Sequence, residues 1–216
     1  MYKKIAASLA LAFAAAVTAQ ASPLLPDTGR QAVPAGTFGT LSQVANTGIR
    51  TATSSTFTVR YGEAVSFDSA NPLGGLDFIY SFDNIGTTGI LEAVSMGTYD
   101  GFLTDTIFVS KGVANQVAPT AVSHSSTGVG SVVNFAFDAP NTVKSGQTSD
   151  YLVIRTNATQ FRTGNYSFID NSTFTDTNTF VPSAVTPEPS SLILLGTGLL
   201  GAAGVARRKF ATKFGV

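Results

Sequence analysis

Between residues 56 and 177, short runs of aromatic and β-branched residues alternate with polar positions. In residues 76–82, Leu, Phe, Tyr and Phe occupy every second position, and Asp77 and Ser81 lie between them. Because successive side chains of a β-strand point to opposite faces of a sheet, this run predicts a strand with one apolar and one polar face. Four consecutive apolar residues within 150–156 instead predict a central strand that is buried on both faces.

The runs are short and are separated by Gly, Pro, Asn and Asp, which are typical of turns. They are residues 56–61, 76–82, 90–96, 106–110, 131–137, 150–156, 165–170 and 172–177. Between the termini, no segment keeps apolar residues at helical spacing over three turns. The pattern predicts an all-β body built as an antiparallel β-sandwich, with a closed barrel as the alternative.

The first 21 residues have the three zones of a secretory signal. Lys3 and Lys4 form a charged start, residues 5–17 form an apolar helical stretch, and Ala19 and Ala21 give the small-x-small pattern of a signal peptidase site. We expect cleavage after Ala21, with cleavage after Ala19 as the alternative. An ordinary buried first helix is the other interpretation.

A second apolar segment lies near the end of the printed sequence. Residues 192–206 carry no charge, and Ser190 and Ser191 extend the uncharged run. A helix of this length spans roughly 22–26 Å, against a hydrocarbon core of about 30 Å. Arg207, Arg208 and Lys209 follow it, and the positive-inside rule places them in the cytoplasm. We therefore predict a marginal transmembrane helix that contacts membrane lipid; a simple anchor and a buried core helix are the alternatives.

Pro187, Glu188 and Pro189 precede this helix, and the basic residues 207–209 follow it. In order, spacing and composition the segment resembles the PEP-CTERM sorting signal of exported Gram-negative bacterial proteins. The resemblance implies processing by an exosortase and an association with exopolysaccharide production. It also implies that Pro187, Glu188 and Pro189 are the recognition element and that the arginines act as a retention stop.

These features divide the chain into six predicted parts. They are a signal peptide (1–21), a loosely structured lead-in or β-arm (22–55), a β-sandwich domain (56–183), a linker with the Pro-Glu-Pro motif (184–190), a transmembrane helix (191–207) and a basic cytoplasmic tail (208–216).

The formal net charge is zero, but the charges are segregated along the chain. Residues 22–186 contain seven Lys or Arg against twelve Asp or Glu, a net charge of −5. Nucleic-acid binding requires clustered cations, so this body argues against a nucleic-acid partner. The chain also has no cysteine, which removes thiol catalysis and cysteine-ligated metals.

The sequence contains no convincing catalytic constellation. His124 is the only histidine and is interpreted as a solvated loop residue. Four carboxylate pairs suit glycoside hydrolysis by residue type, but each member lies where turns and solvent-facing positions ordinarily place Asp or Glu. They are Glu63/Asp68, Asp77/Asp83, Asp100/Asp105 and Asp170/Asp176. Residues 99–105 are the best calcium candidate, although they lack the dense spacing of calcium loops. We expect no catalytic residue, no metal site and no cofactor.

The first functional hypothesis is a non-enzymatic protein of the cell envelope or the extracellular polysaccharide matrix. It is exported, anchored in the inner membrane with its body in the periplasm, and delivered to the cell surface or the medium after processing. The alternative is a carbohydrate-binding module, in a calcium-dependent or calcium-independent form, and extracellular polysaccharide is then a partner. The aromatic side chains available for stacking on sugars are Tyr61, Tyr80, Tyr99, Tyr151 and Tyr166.

Overall fold

The computed structural model describes residues 29–125, 132–170 and 172–184, together with Thr197. The predicted signal peptide, transmembrane helix and basic tail lie outside these ranges. Within them the chain forms fifteen strands. They are β1 (Leu41–Asn46), β2 (Arg50–Thr53), β3 (Thr58–Asp68), β4 (Leu76–Asn84), β5 (Ile90–Leu91), β6 (Ala93–Gly97), β7 (Thr104–Val109), β8 (Gln116–Val117), β9 (Ala121–His124), β10 (Val132–Ala136), β11 (Val143–Lys144), β12 (Thr148–Ser149), β13 (Tyr151–Thr156), β14 (Gln160–Asp170) and β15 (Ser172–Ser183).

The described strands form two main sheets and one small one. An eight-stranded sheet follows the order β1-β3-β4-β12-β8, with β2 beside β3 and with β13 between β4 and β7. A five-stranded sheet follows the order β15-β14-β6-β10-β9, and β5 pairs with β11. The strand pairs are antiparallel apart from the parallel pair of β8 and β12. The prediction of an all-β body is confirmed.

The main hydrophobic core lies between the two large sheets and is rich in aromatic rings. Tyr80 of β4 lies 5.2 Å from Tyr166 of β14, measured between ring centroids, and Phe82 lies 5.5 Å from Phe168. Each contact joins one sheet to the other, so the two sheets face each other as in a β-sandwich. Edge-to-face packing of this kind adds to the free energy gained from burying the ring area.

Strand β4 shows how the alternating pattern is realised. Leu76, Phe78, Tyr80 and Phe82 all lie in the main core, as predicted. Strand β13 pairs with β4 on one side and β7 on the other and is buried along most of its length, which confirms the predicted central strand. Asp77 was predicted to face solvent, and this prediction is wrong because its side chain is completely buried.

Asp77 is enclosed by Asn71, which donates a 2.7 Å hydrogen bond to its Oδ1, and by Arg155. The segment before β1 crosses the same outer face of the eight-stranded sheet. We call residues 29–40 the strap. Its Ala35 forms a parallel bridge with Phe108 of β7, and its Phe38 packs on a small second core that contains Ile79 and Ile107. A side chain at Gly36 would come within 2.6 Å of Ile107, so glycine permits this close approach.

Candidate functional site

The last described strand leads directly into the predicted sorting segment. Strand β15 lies at the edge of the five-stranded sheet and pairs with β14 over its whole length, from the Asp170–Ser172 pair to the Gln160–Ser183 pair. Ala184 follows, and the predicted linker continues beyond it. The last described strand of the β body is therefore paired with β14 before the predicted sorting segment begins.

Two side chains from the opposite sheet hold the end of β15. The backbone N–H of Phe180 donates a 2.7 Å hydrogen bond to Oε2 of Glu63, and the Tyr80 hydroxyl donates a 3.1 Å bond to the Phe180 carbonyl. The Tyr80 and Tyr99 hydroxyls are 2.7 Å apart. Burial raises the pKa of Glu63 to about 8, although the Phe180 N–H opposes this rise. This carboxyl is therefore mainly protonated at neutral pH.

A second polar contact joins β15 to β2 and β3. Asp176 accepts hydrogen bonds from Arg50 at 2.6 Å and from the Tyr61 hydroxyl at 2.8 Å. Burial alone would raise the pKa of Asp176, but hydrogen bonds from the Asn178 N–H, Tyr61 and Arg50 together lower it. Asp176 is thus a charged anchor, unlike the nearby Glu63.

A buried charge cluster lies on the other side of the eight-stranded sheet, next to the strap. Arg155 of β13 lies 3.3 Å from Asp68, and its Nε lies 3.5 Å from Oδ2 of Asp77. Arg155 also donates a 3.1 Å hydrogen bond to the Thr37 carbonyl of the strap. Asp105 of β7 is paired with Arg155 in the strand register. One guanidinium thus contacts two buried carboxyl groups, Asp68 and Asp77, and also binds the strap.

The hydrogen bonding of this cluster is incomplete. The contact between Asp77 Oδ2 and Arg155 Nε lacks hydrogen-bond geometry, and Asp105 Oδ2 has no hydrogen-bond partner. Burial raises the pKa of Asp77 to about 7 in spite of the opposing charge of Arg155, and it also raises the pKa of Asp105. Incomplete pairing of buried charge is costly, so the cluster depends on Arg155.

The structure corrects the interpretation of His124. It lies at the end of β9 rather than in a solvated loop, and only 2% of its surface is exposed. Its Nδ1 is 3.4 Å from Oγ1 of Thr104.

The residues of the calcium candidate, 99–105, do not all face solvent: Tyr99 is buried in the main core, whereas Asp100 is exposed. Within the described parts of the chain, no three His, Asp or Glu side chains are grouped so that they could hold a metal ion.

Two of the four carboxylate pairs considered in the sequence, Glu63/Asp68 and Asp77/Asp83, do not form hydrolase-like pairs. Glu63 faces the main core, whereas Asp68 lies with Arg155 on the opposite face of the sheet. Asp77 and Asp83 lie six residues apart on one strand, which separates them by about 20 Å. Asp83 instead pairs with Arg60 at 2.7 Å.

Four of the five tyrosines considered for sugar stacking are buried. Tyr61, Tyr80, Tyr99 and Tyr166 expose at most 5% of their surface. Tyr151 is half-buried and lines a surface cavity on the outer face of the eight-stranded sheet. Among these side chains, Tyr151 alone is placed to contact a ligand from solvent.

Comparison with known families addresses the segment that follows β15. Residues 185–209 match the family described as the PEP-CTERM protein-sorting motif. The chain carries a PEP-CTERM sorting motif. This motif is recognised by an exosortase, and it implies an exported protein whose sorting signal is anchored in a membrane. Neither the search of curated proteins nor the search of solved structures found a match to the chain.

The matched PEP-CTERM residues include the predicted recognition element and the three basic residues. Pro187, Glu188 and Pro189, and also Arg207, Arg208 and Lys209, fall within residues 185–209 but outside the residues that the structure describes. Ala19 and Ala21 of the predicted signal peptidase site lie outside them as well. The individual roles of all eight residues stay predictions. In the described part of the chain, no helix has the length and apolar character required to cross a membrane.

Neither the burial of Glu63 nor the buried cluster around Arg155 was predicted from the sequence, although Glu63 had a visible signal. Strand β3 places Val59, Tyr61, Glu63 and Val65 at alternating positions that all face the core. A carboxylate at a core position of this alternation marks a buried polar group. The partners of Arg155 gave no such signal, because Asp68 and Asp77 belong to β3 and β4, which are far from Arg155 in the sequence.

Proposed function

We propose that this protein is a non-enzymatic component of the cell envelope or the extracellular polysaccharide matrix. The observation that carries the proposal is the PEP-CTERM match at residues 185–209, directly after the last strand of the body. In this proposal the motif holds the protein at the inner membrane, with the β-rich body in the periplasm. Processing by the exosortase then releases the body to the surface or the medium.

The charges on either side of the apolar segment support this orientation. Arg207, Arg208 and Lys209 favour the cytoplasmic side of a membrane. The body that precedes them carries a net negative charge and has no comparable group of consecutive cations. The apolar segment is short for a bilayer, which suits an anchor that is later removed.

The junction supports release of an intact body. Strand β15 is fully paired with β14, and Glu63 and Tyr80 bind the backbone of Phe180 near its end. Cleavage beyond Ala184 removes none of these contacts. In this proposal Glu63, Asp68 and Asp77 serve the fold, because each contacts other groups of the protein.

The sorting role is tested by fractionation of the native bacterium with and without its exosortase. We expect the full chain to pass from the inner membrane to the surface or medium only when the exosortase is present. A chain truncated before Pro187 should lose the membrane stage, and the Pro187→Ala/Pro189→Ala double variant should accumulate in the inner membrane. Immunoblots of the fractions and the intact mass of the released protein provide the measurement.

Pro72→Ala provides a matched control, because Pro72 is an exposed proline of the body. This variant should be sorted like the wild type. Equal distribution of the full-length and truncated chains among all fractions would refute the sorting role of the motif.

A further inference from the structure

Exposed apolar side chains are concentrated around strand β1. Seven large apolar side chains of the described residues are at least 40% exposed, and four of them lie on β1 or next to it. Leu41 and Val44 belong to β1, Ile49 follows it, and Phe67 of β3 is paired with Ser42 of β1. Single exposed apolar side chains are normal on a protein surface, whereas a group of them indicates a contact surface.

Strand β1 is an open edge of the eight-stranded sheet. In the described part of the chain β3 is its sole strand partner, and five of its six residues are exposed. Ser69 of the turn after β3 donates its backbone N–H to the Thr40 carbonyl. Because backbone groups point alternately toward and away from the partner strand, Leu41 and Gln43 point their N–H and C=O groups away from β3. A bulge between Gln43 and Ala45 ends this regular stretch.

Other edges of the two sheets are covered by contacts within the chain. The strap forms bridges with Val122 of β9 and Phe108 of β7. Arg50 of β2 is paired with Asp176 of β15, and the Phe180 backbone near the end of β15 is bonded to side chains of the opposite sheet. Strand β1 differs from these edges, because its outward backbone groups face solvent.

The residues around this edge favour a second copy of the chain as the partner. Residues 31–49 contain no charged side chain, although the body as a whole is acidic. Two copies that meet at β1 therefore bring no like charges together at the strand pair. Strand β1 also lacks the Lys and Pro residues that commonly block pairing at edge strands.

We propose that two copies of this chain pair through β1, in antiparallel orientation and about a two-fold axis at Ser42. Leu41 of each copy then lies opposite Gln43 of the other, and their outward N–H and C=O groups form about four backbone hydrogen bonds. The pair continues the eight-stranded sheet from one copy into the next and partly covers Leu41 and Val44. This proposal goes beyond the sorting function and does not depend on it.

The strand pair is short, so the dimer is expected to be weak. With about three residues from each copy it buries less area than a standard protein interface, and we expect a dissociation constant on the order of 10–100 µM. Sedimentation equilibrium of the full chain in mild detergent measures this constant, at protein concentrations below and above the expected value.

Leu41→Lys tests the surface, because a lysine on an edge strand must lose its hydration when another strand pairs there. Leu103→Lys is the matched control. Leu103 is 50% exposed and precedes β7, and three strands of the sheet separate β7 from β1. We expect the Leu41→Lys variant to dimerise at least tenfold more weakly than the wild type and the Leu103→Lys variant to dimerise like it.

A cysteine cross-link gives an independent test, because the chain has no cysteine of its own. Ser42 lies opposite itself across the proposed axis, in a pair without backbone hydrogen bonds. The Cα atoms of such a pair are about 4.5 Å apart, a distance that a disulfide can bridge. Oxidised glutathione should therefore convert the Ser42→Cys variant into a covalent dimer, whereas the Leu103→Cys variant should form none.

Thermal unfolding checks that each variant is folded. Three results would each overturn the proposal: a monomer at every concentration, equal dimerisation of the two Lys variants, or equal cross-linking of the two Cys variants. A dimer held together by residues 192–206 instead of β1 would give the second of these results. Fractionation reports sorting separately, so the two proposals fail independently.

Discussion

Replacing Arg155 by methionine is expected to destabilise the protein by about 3–5 kcal/mol. Methionine keeps much of the volume but removes the one guanidinium that contacts Asp68 and Asp77, both of which have fully buried side chains. Breaking a buried ion pair by removing one partner leaves uncompensated charge in the protein interior, which accounts for this magnitude. The measurement is the free energy of unfolding in urea at pH 7.

The same substitution should cost less at acid pH. Burial already raises the pKa of Asp77 and Asp105 against the opposing charge of Arg155, so without the guanidinium these two carboxyl groups should be protonated more readily. The destabilisation should therefore be smaller at pH 5 than at pH 8. Arg60→Met is the control, since the Arg60 side chain is 52% exposed and its pair with Asp83 should contribute less than about 1 kcal/mol. Similar losses for the two variants would show that the buried cluster is not a special contributor to stability.

The folded protein is expected to lose stability as the pH rises from about 5 to 8. Burial raises the pKa of Glu63 to about 8 from an ordinary value of 4.5, and that of Asp77 to about 7 from 3.8. A carboxyl whose pKa is raised by folding binds its proton more tightly in the folded state. Its stabilising contribution is therefore complete below the unfolded pKa and is lost as the pH rises through the folded pKa.

Glu63→Gln should remove the largest part of this pH dependence. Glutamine keeps an acceptor for the Phe180 N–H but does not ionise, so we expect a gain on the order of 3 kcal/mol at pH 8 and little change at pH 5. The measurement is urea unfolding of both proteins at several pH values. Glu92→Gln, at an exposed carboxyl, should leave the wild-type dependence intact. A Glu63→Gln protein that parallels the wild type at every pH would contradict the assignment.

Local patterning predicted most of the strands because one face of each strand is buried. Residues 76–82 were placed correctly down to the side chains that enter the core, and residues 150–156 were correctly predicted to be central. The first strand was predicted too short: residues 56–61 were expected, whereas β3 runs from Thr58 to Asp68. Glu63 interrupts the apolar alternation beyond Tyr61, although the core-facing series resumes at Val65 and the main chain continues the ladder.

The contacts between Arg155 and the buried carboxyl groups could not be predicted from any local pattern, because they join strands that are distant in sequence. Asp77 alternates with core residues and was expected at the surface, but Asn71 donates a hydrogen bond to it and Arg155 reaches it from β13. Asp68 of β3 contacts the same guanidinium. His124 was likewise expected in a loop, and the pairing of β9 with β10 buries it.

The sequence by itself determined the all-β character of the body and the PEP-CTERM motif, because alternation and a contiguous recognition segment are properties of neighbouring residues. Only the tertiary structure decided which carboxyl groups are buried and how the end of β15 is held. Those features require strands that are far apart in sequence to lie side by side. Burial and electrostatic interaction depend on that proximity in space and not on order along the chain.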